Sequence, residues 1–298
     1  MTQTTEDASS LGDKVFESNC KALIPPQKEA LDAVAEIWTK GVILKPHSGN
    51  TIYISYTDML PINASSYHVS ITTTSGLVIT LSQLGTKYDY FSKKLAETWG
   101  DALAKALLMD ESPMVYEARG FVTRKESSQT FGECRLKVCE NSLLVLPSNS
   151  IPIRLPFSHI REMNTDLFKV NVSTVDGDLF EISRLGNATE LFAEKLRVTM
   201  KNLEASSIET ITKIIPSAAF EEVHQLSRLM IDGRAAPRND VDKISPSLWT
   251  KLEKCIENSP LAESYNYLAT IGERNLESSS LLFPRIYHEK KSGNRFGT

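Results

Sequence analysis

Residues 81–85 read Leu-Ser-Gln-Leu-Gly, and residues 182–186 read Ile-Ser-Arg-Leu-Gly. The two stretches lie 101 positions apart, and the match extends around them without a gap. Gly76 falls on Gly177, and apolar positions fall on apolar positions along both copies. We therefore interpret the chain as a tandem duplication of one module.

Upstream of this motif, each copy alternates apolar and polar residues in short segments that are separated by Gly, Asn and Ser. A period of two is typical of antiparallel strands joined by hairpins. In the second copy it predicts seven strands, at 115–123, 135–139, 143–146, 151–155, 157–163, 168–174 and 179–183.

Downstream of the motif, the apolar period changes to that of a helix. The stripe of the first copy is Tyr88, Phe91, Leu95, Trp99 and Leu103. That of the second copy is Leu191, Phe192, Leu196, Met200 and Leu203. Each module is therefore predicted to end in one amphipathic helix. Gly100 costs the first helix about 1 kcal/mol relative to Ala and predicts a point where it ends or bends.

Seven antiparallel strands followed by one helix resemble the pleckstrin-homology-like (PH-like) fold. The resemblance implies two bent sheets packed as a sandwich, with the helix closing an open end. Trp99 lies in the predicted helix, where PH domains usually carry a Trp, but the second copy has none at the matching place. We interpret Trp99 as a core residue.

A second resemblance rests on four sequence segments, at 79–85, 107–109, 232–236 and 244–249. They are similar to an uncharacterised prokaryotic family with paired PH-like domains, for which no function can be carried over. Its members have a further C-terminal segment, so we expect this chain to be shorter than its relatives.

The fold class predicted is mainly β within the α+β class: two tandem PH-like seven-stranded antiparallel sandwiches, each closed by a helix. A small helical region follows them. The predicted boundaries are a disordered tail at 1–12, PH-like domains at 13–110 and 111–206, and the helical C-terminal region at 207–298.

Two helices are predicted in the C-terminal region. Ser217 is the expected N-cap of the first, which Gly233 ends and whose stripe is Phe220, Val223, Leu226, Leu229 and Met230. Ser245 and Pro246 open the second, with Leu248, Leu252, Cys255 and Ile256 on one side.

A weaker helix at 262–271 and an extended tail at 281–287 follow. These elements either pack on the second module or form a small third domain. We interpret 232–243 as a long loop, which counts against the alternative of a winged helix.

Bulk properties and motifs argue against several functions. A net charge of -4 and a pI near 5.8 argue against electrostatic binding of nucleic acid or an anionic membrane over the whole protein surface. There is no phosphate-binding glycine loop, HExxH motif or nucleophile elbow, so no enzyme, cofactor or metal is predicted. Four scattered cysteines and short apolar runs predict a soluble, cytoplasmic protein.

The most suggestive polar feature is a basic series in the opening strands of the second copy: Arg119, Arg124, Lys125, Arg135 and Lys137. Because PH domains that hold phosphoinositides use basic residues around their first hairpin, the resemblance implies lipid- or ligand-binding by this series. Three glutamates dilute its charge, and a solvated charged face explains the same residues.

The leading hypothesis is a non-catalytic binding or adaptor protein that recognises a protein or peptide partner, since exposed strand edges capture peptides by strand addition. The first alternative is peripheral binding of anionic lipid headgroups through the basic series. The second is nucleic-acid or histone binding, because double PH-like modules also occur in histone chaperones. The sequence has neither an acidic tail nor a dense basic stripe, and both absences weigh against it.

Overall fold

The computed structural model describes residues 11–109, 112–233, 236–260, 262–265, 267 and 280–281. Most of the predicted tail at 1–12 lies outside these residues. Leu11, however, is buried, and its carbonyl accepts the backbone N–H of Lys40 at 3.0 Å. The chain divides into two compact units at Thr199 and Met200.

The first module contains seven strands and one helix. They are β1 (Lys14–Leu23), β2 (Leu31–Trp38), β3 (Gly41–Pro46), β4 (Ile52–Ser55), β5 (Asn63–Ser65), β6 (His68–Thr72), β7 (Val78–Ser82) and α1 (Tyr88–Ala106). The strand order is β4-β3-β2-β1-β7-β6-β5, with every neighbouring pair antiparallel.

Strand β1 joins the two halves of this sheet. It pairs with β2 from Lys14 to Ala22, whereas only Lys21 to Leu23 pair with β7. The two halves share one core, in which residues of both are fully buried. A single long strand thus connects the two layers of the sandwich.

The second module repeats the first. Its elements are β8 (Met114–Arg124), β9 (Gln129–Cys139), β10 (Ser142–Pro147), β11 (Ile153–Pro156), β12 (Ile160–Asp166), β13 (Lys169–Thr174), β14 (Leu179–Ser183) and α2 (Thr189–Ile214). The strand order, β11-β10-β9-β8-β14-β13-β12, is that of the first module. The duplication and the predicted PH-like fold class are confirmed.

One predicted strand of the second module starts too early. Residues 157–159 form a 3₁₀ turn, and the strand begins only at Ile160. The alternation of apolar and polar residues suggests a strand that includes Phe157. This side chain is only 2% exposed, as in a strand that faces the core, but it lies in the turn.

The repeated pentapeptide forms the turn between the last strand and the helix of each module. Gln83 and Gly85 have φ of 56° and 58°, and Arg184 and Gly186 have 57° and 59°. Two left-handed residues in so short a stretch reverse the chain, and glycine supplies one of them without steric cost. The same local geometry therefore positions both helices.

Each helix closes its sandwich with large apolar side chains. Phe91, Leu95 and Trp99 are fully buried in the core of the first module, as predicted. Phe192 and Leu196 are fully buried in the second module. The sequence predicts that the helix ends or bends at Gly100. The helix does not end there, because α1 continues to Ala106.

The second unit has its own core. Helix α2 runs through the boundary predicted at 206/207 and is followed by α3 (Phe220–Leu229), β15 (Ala236–Pro237), α4 (Arg238–Ile244), α5 (Pro246–Glu257) and β16 (Ser280–Leu281). β15 and β16 pair antiparallel. The buried set includes Ile211, Leu226, Val241, Trp249 and Leu252.

Three expectations for this unit are corrected. Ala219, not Ser217, precedes α3, and its N–H is satisfied by the Glu222 carboxylate at 3.0 Å. Phe220 is 76% exposed and lies outside the buried stripe. The long loop predicted at 232–243 contains β15 and most of α4, because one fully buried side chain, Val241, suffices to anchor so short a helix.

The rest of the C-terminal region is described in part. The opening of α5 at Ser245 and Pro246 is as predicted. Residues 262–265 are helical, but the remainder of the weaker helix predicted at 262–271 lies outside the described residues except for Tyr267. The extended tail at 281–287 lies outside them after Leu281.

Candidate functional site

Three of the five predicted basic residues face helix α1 of the first module. Arg119 and Arg135 are direct neighbours across β8 and β9, which brings two cations together on one face. Arg119 pairs with Glu97 at 2.8 Å. Arg135 donates to the carbonyl of Glu97 at 3.0 Å.

Asp101, one helical turn further along α1, holds two cations. Its carboxylate oxygens lie 3.0 Å from Arg135 Nη2 and 2.8 Å from Lys137 Nζ. The side chains of Arg135 and Lys137 are only 13% and 21% exposed, whereas that of Asp101 is 43% exposed, so water reaches the contact from the helix side. These ion pairs join the two modules, and we call them the intermodule pairs.

The other two predicted residues lie at the opposite end of the β8–β9 hairpin. Arg124 donates to both oxygens of Asp178, at 2.8 and 2.6 Å, in the bidentate geometry that strengthens such pairs. Lys125 lies 3.2 Å from Glu181. The basic series is therefore two separate groups, and each member has a carboxylate partner.

The Glu181 carboxylate forms ion pairs with two lysines, Lys125 and Lys169. Burial opposes its ionisation, but hydrogen bonds from Lys169 and Lys125 outweigh that effect and lower its pKa below the ordinary value. The carboxylate is therefore ionised at neutral pH and compensates charge at the hairpin.

A cavity of about 460 Å³ opens at this end of the second sandwich. Arg124 and Arg154 line it together with Asp176 and Asp178. His159 also lines it, with Nδ1 4.0 Å from Asp176. Cations and carboxylates thus balance in the place where the hairpin, the β10–β11 loop and the β13–β14 turn meet.

The second module also has a long unpaired strand edge. β12 is the terminal strand of its sheet and pairs only with β13 among the described residues. Asp166 and Lys169 close a two-residue turn, and Leu167 and Phe168 at its tip are 84% and 73% exposed. We call β12 with this tip the open edge.

The corresponding edge of the first module is shorter and lies beside a cleft. β5 has three residues, and its Ala64 lines a cleft with Lys93, Ala96 and Glu97 of α1. The other wall of this cleft comes from β8, β9 and β10 of the second module. Equivalent edges in the two modules are therefore in different environments.

The acidic residues of the intermodule pairs were missed from the sequence. Glu97 and Asp101 are four residues apart on a helix and so share a face, which is a readable signal. The sequence does not show which strands this face of the helix contacts.

Among the described residues, no cluster of three or more metal-ligating side chains occurs. Burial raises the pKa of the Cys20 thiol to about 11 and that of Cys134 to about 12, so both are protonated. Within the same residues, no helix is long and apolar enough to cross a membrane.

No known protein family matches the chain, and no curated protein matches it. Three solved structures are similar to parts of it. The C-terminal domain of an unknown protein from Leishmania infantum is 13% identical, covers 30% of this chain and 87% of its own, and gives a TM-score of 0.28.

The N-terminal PH domain of human ARAP2 is 10% identical, with 38% and 96% of the two chains covered and a TM-score of 0.27. The Spt16D Pob3N heterodimer is 13% identical, with 55% and 86% covered and a TM-score of 0.23. The strand order and closing helix of each module, not these likenesses, carry the description of the fold.

Proposed function

We propose that this protein is a non-catalytic binding module that captures an extended segment of a protein partner along the open edge of its second module. The observation that carries the proposal is β12, a seven-residue terminal strand with exposed apolar side chains at its tip. A strand edge offers backbone donors and acceptors to an added strand, and neighbouring side chains give specificity.

Specific backbone groups of β12 are available. The pair Asp166 and Lys169 closes a two-residue turn, so it exchanges hydrogen bonds, and alternate pairs along the ladder do not. Thr165 and Met163 belong to those alternate pairs, opposite Val170 and Val172. Their N–H and C=O groups therefore point away from β13.

The repeat points to helix α2 as the neighbour of this edge. In the first module, Ala64 of β5 lines one cleft with Lys93, Ala96 and Glu97 of α1. A shift of 101 residues converts these positions to Thr165 of β12 and to Glu194, Arg197 and Val198 of α2, and we infer the same neighbourhood there. Val198 is 46% exposed and Leu191, nearer the start of the helix, is 43% exposed. The ligand favoured is an extended peptide with apolar side chains.

The test uses proline at an outward-pointing position. Thr165→Pro removes an outward N–H but no hydrogen bond to β13, and edge strands tolerate proline. Thr165→Val keeps the N–H and is the matched control. We expect peptides selected from a random library on the wild type to lose at least about tenfold in affinity for Thr165→Pro, about 1.4 kcal/mol.

Isothermal titration gives the affinities. Equal affinity of the selected peptides for wild type and Thr165→Pro would contradict the proposal, as would a screen that selects no peptide. Thr165→Val should bind like the wild type.

Peripheral binding of anionic lipid headgroups is the second candidate function. Lys125 is 47% exposed at the hairpin tip, and Arg124 and Arg154 line the adjacent cavity. Two aspartates in the same cavity oppose it. Arg135 and Lys137 are poor sites for this test because changing them breaks the intermodule pairs.

Lys125→Glu tests lipid binding without touching those pairs. Flotation with vesicles that contain a phosphoinositide should show a smaller bound fraction for Lys125→Glu than for the control Lys201→Glu, an exposed lysine of α2. Equal bound fractions would reject this candidate.

A further inference from the structure

We propose that the cleft between α1 and strands β8 to β10 is a binding site for a phosphate-bearing anion. Its volume is about 460 Å³, within the range of small-molecule sites of about 300–1,000 Å³. It is a different place from the open edge and from the cavity at the β8–β9 hairpin tip.

The lining of the cleft carries more cations than carboxylates. The cations are Lys93, Arg119, Arg135 and Arg184, and the carboxylates are Glu97 and Glu133. Glu97 is already paired with Arg119, and Arg135 is paired with Asp101. Over the part of the chain that the structure describes, Lys93 and Arg184 make no ion pair. Among the described residues, the cleft therefore has two unpaired cations, one from each module, against one carboxylate without an ion pair, Glu133.

Arg184 lies against an aromatic ring of the cleft lining. Its guanidinium lies 4.5 Å from the centre of the Phe121 ring, and its backbone is left-handed with φ of 57°. Stacking uses the face of the guanidinium and leaves the N–H groups in its plane free to bind an anion in a bidentate manner. Less side-chain entropy is then lost on binding.

Gly100 keeps the helix side of the cleft open. It is buried, yet a Cβ built on it would meet no heavy atom within 4 Å. Packing therefore does not require glycine here, although glycine destabilises a helix interior relative to alanine. The space that a side chain would fill belongs to the cleft.

Phosphate fits this arrangement better than a carboxylate does. A phosphate group carries about -1.5 to -2 charges at neutral pH and three acceptor oxygens. Its oxygens offer acceptors to Lys93 and Arg184 on the two walls, with Ser92, Ser148 and Asn149 as further polar groups in the lining. The phosphate comes either from a soluble molecule or from a lipid headgroup.

Inorganic pyrophosphate is the soluble probe, and isothermal titration measures its affinity. We expect Lys93→Ala/Arg184→Ala to bind it about tenfold more weakly than the wild type, and binding to weaken as NaCl is raised. The matched control is Lys28→Ala/Lys40→Ala, which removes two exposed lysines of the first module. It should bind as the wild type does.

A second variant separates the site from general electrostatics. Gly100→Leu fills the cleft without changing any charge and should abolish binding while the melting temperature and helix content are retained. Thr165→Pro, at the open edge, should leave pyrophosphate binding unchanged. The two proposals can then fail independently.

Vesicles distinguish the two sources of phosphate. Cosedimentation with phosphoinositide vesicles that pyrophosphate reverses, and that is lost in the double variant, assigns a headgroup. Pyrophosphate binding without cosedimentation assigns a soluble ligand. Absence of pyrophosphate binding, or equal affinity in the double variant and its control, overturns the proposal.

Discussion

Asp101→Asn is the most direct test of how the two modules are held together. The substitution keeps the shape of the side chain and an acceptor oxygen, but removes the charge that Arg135 and Lys137 share. Asparagine is also the residue at the matching position of the second module, Asn202. The variant therefore gives α1 a residue that a closing helix of this chain already carries.

The magnitude follows from the two contacts at 3.0 and 2.8 Å. Arg135 and Lys137 bind different oxygens of Asp101, and asparagine has only one acceptor oxygen, so one bond is weakened and the other is lost. Hydrogen bonds to charged groups contribute about 1.5–3 kcal/mol and neutral ones about 0.5–1.5 kcal/mol, which gives a cost of about 3 kcal/mol for the pair. The Asp101 side chain is 43% exposed, and screening by water brings the expected loss to about 1 kcal/mol. A loss of that size lowers the melting temperature of a unit this large by about 2–4 °C.

Thermal unfolding of Asp101→Asn is compared with that of Glu194→Gln, which removes one exposed charge at a residue of α2 without an ion pair in the described chain. A double-mutant cycle with Lys137→Met should return a coupling that shrinks at high salt. A melting temperature equal to that of Glu194→Gln, or no coupling in the cycle, would refute the account of the intermodule pairs.

Three further outcomes are expected. Phe192→Ala should cost about 3–5 kcal/mol in chemical unfolding because the ring is fully buried, whereas Leu191→Ala, at an exposed site, should stay within about 0.5 kcal/mol of the wild type. The lowered pKa of Glu181 means that its ionised form stabilises the fold. Glu181→Gln should therefore lower the melting temperature at neutral pH, and the difference should vanish as the pH falls through that pKa, below the ordinary 4.5. Cys20 and Cys134 should resist alkylation until the protein unfolds, because burial raises the pKa of both thiols to about 11 and 12; fast native labelling would contradict this.

The sandwiches could be predicted because their signals are local and repeated. Alternation marks the strands, and the pentapeptide at 81–85 and 182–186 marks the change to a helix in both copies. The position of Trp99 in the helical stripe likewise predicted its burial. The alternation, the pentapeptide and the helical stripe are local and occur in both copies, so one copy supports the interpretation of the other.

The incorrect predictions for the C-terminal region fall where the structure depends on a single residue and not on a repeated pattern. Helix α4 has seven residues and one fully buried side chain, Val241, which is too few for a period to be recognised. Phe220 has the spacing of a core position but lies in the first turn of α3, where its ring is 6.2 Å from that of His224 and remains 76% exposed.

The partners of the basic series could not be predicted because they depend on how two modules meet. Arg135 and Asp101 are 34 residues apart and belong to different modules. Their contact reflects the placement of α1 against β9, for which no local pattern exists. The series was correctly recognised as charged, and its division into two groups emerged only from the structure.

The open edge carries a hazard of its own, since an uncapped strand can template the same strand of another copy and start edge-to-edge polymerisation. β12 has features that oppose such growth: a bulge between Ile160 and Glu162, and exposed charges at Arg161, Glu162 and Asp166. A strand that adds to β12, as we propose, would have to accommodate the same irregularity and the same charges. The bulge and the charges thus oppose strand pairing between identical molecules. They would also restrict which foreign strand can pair with β12.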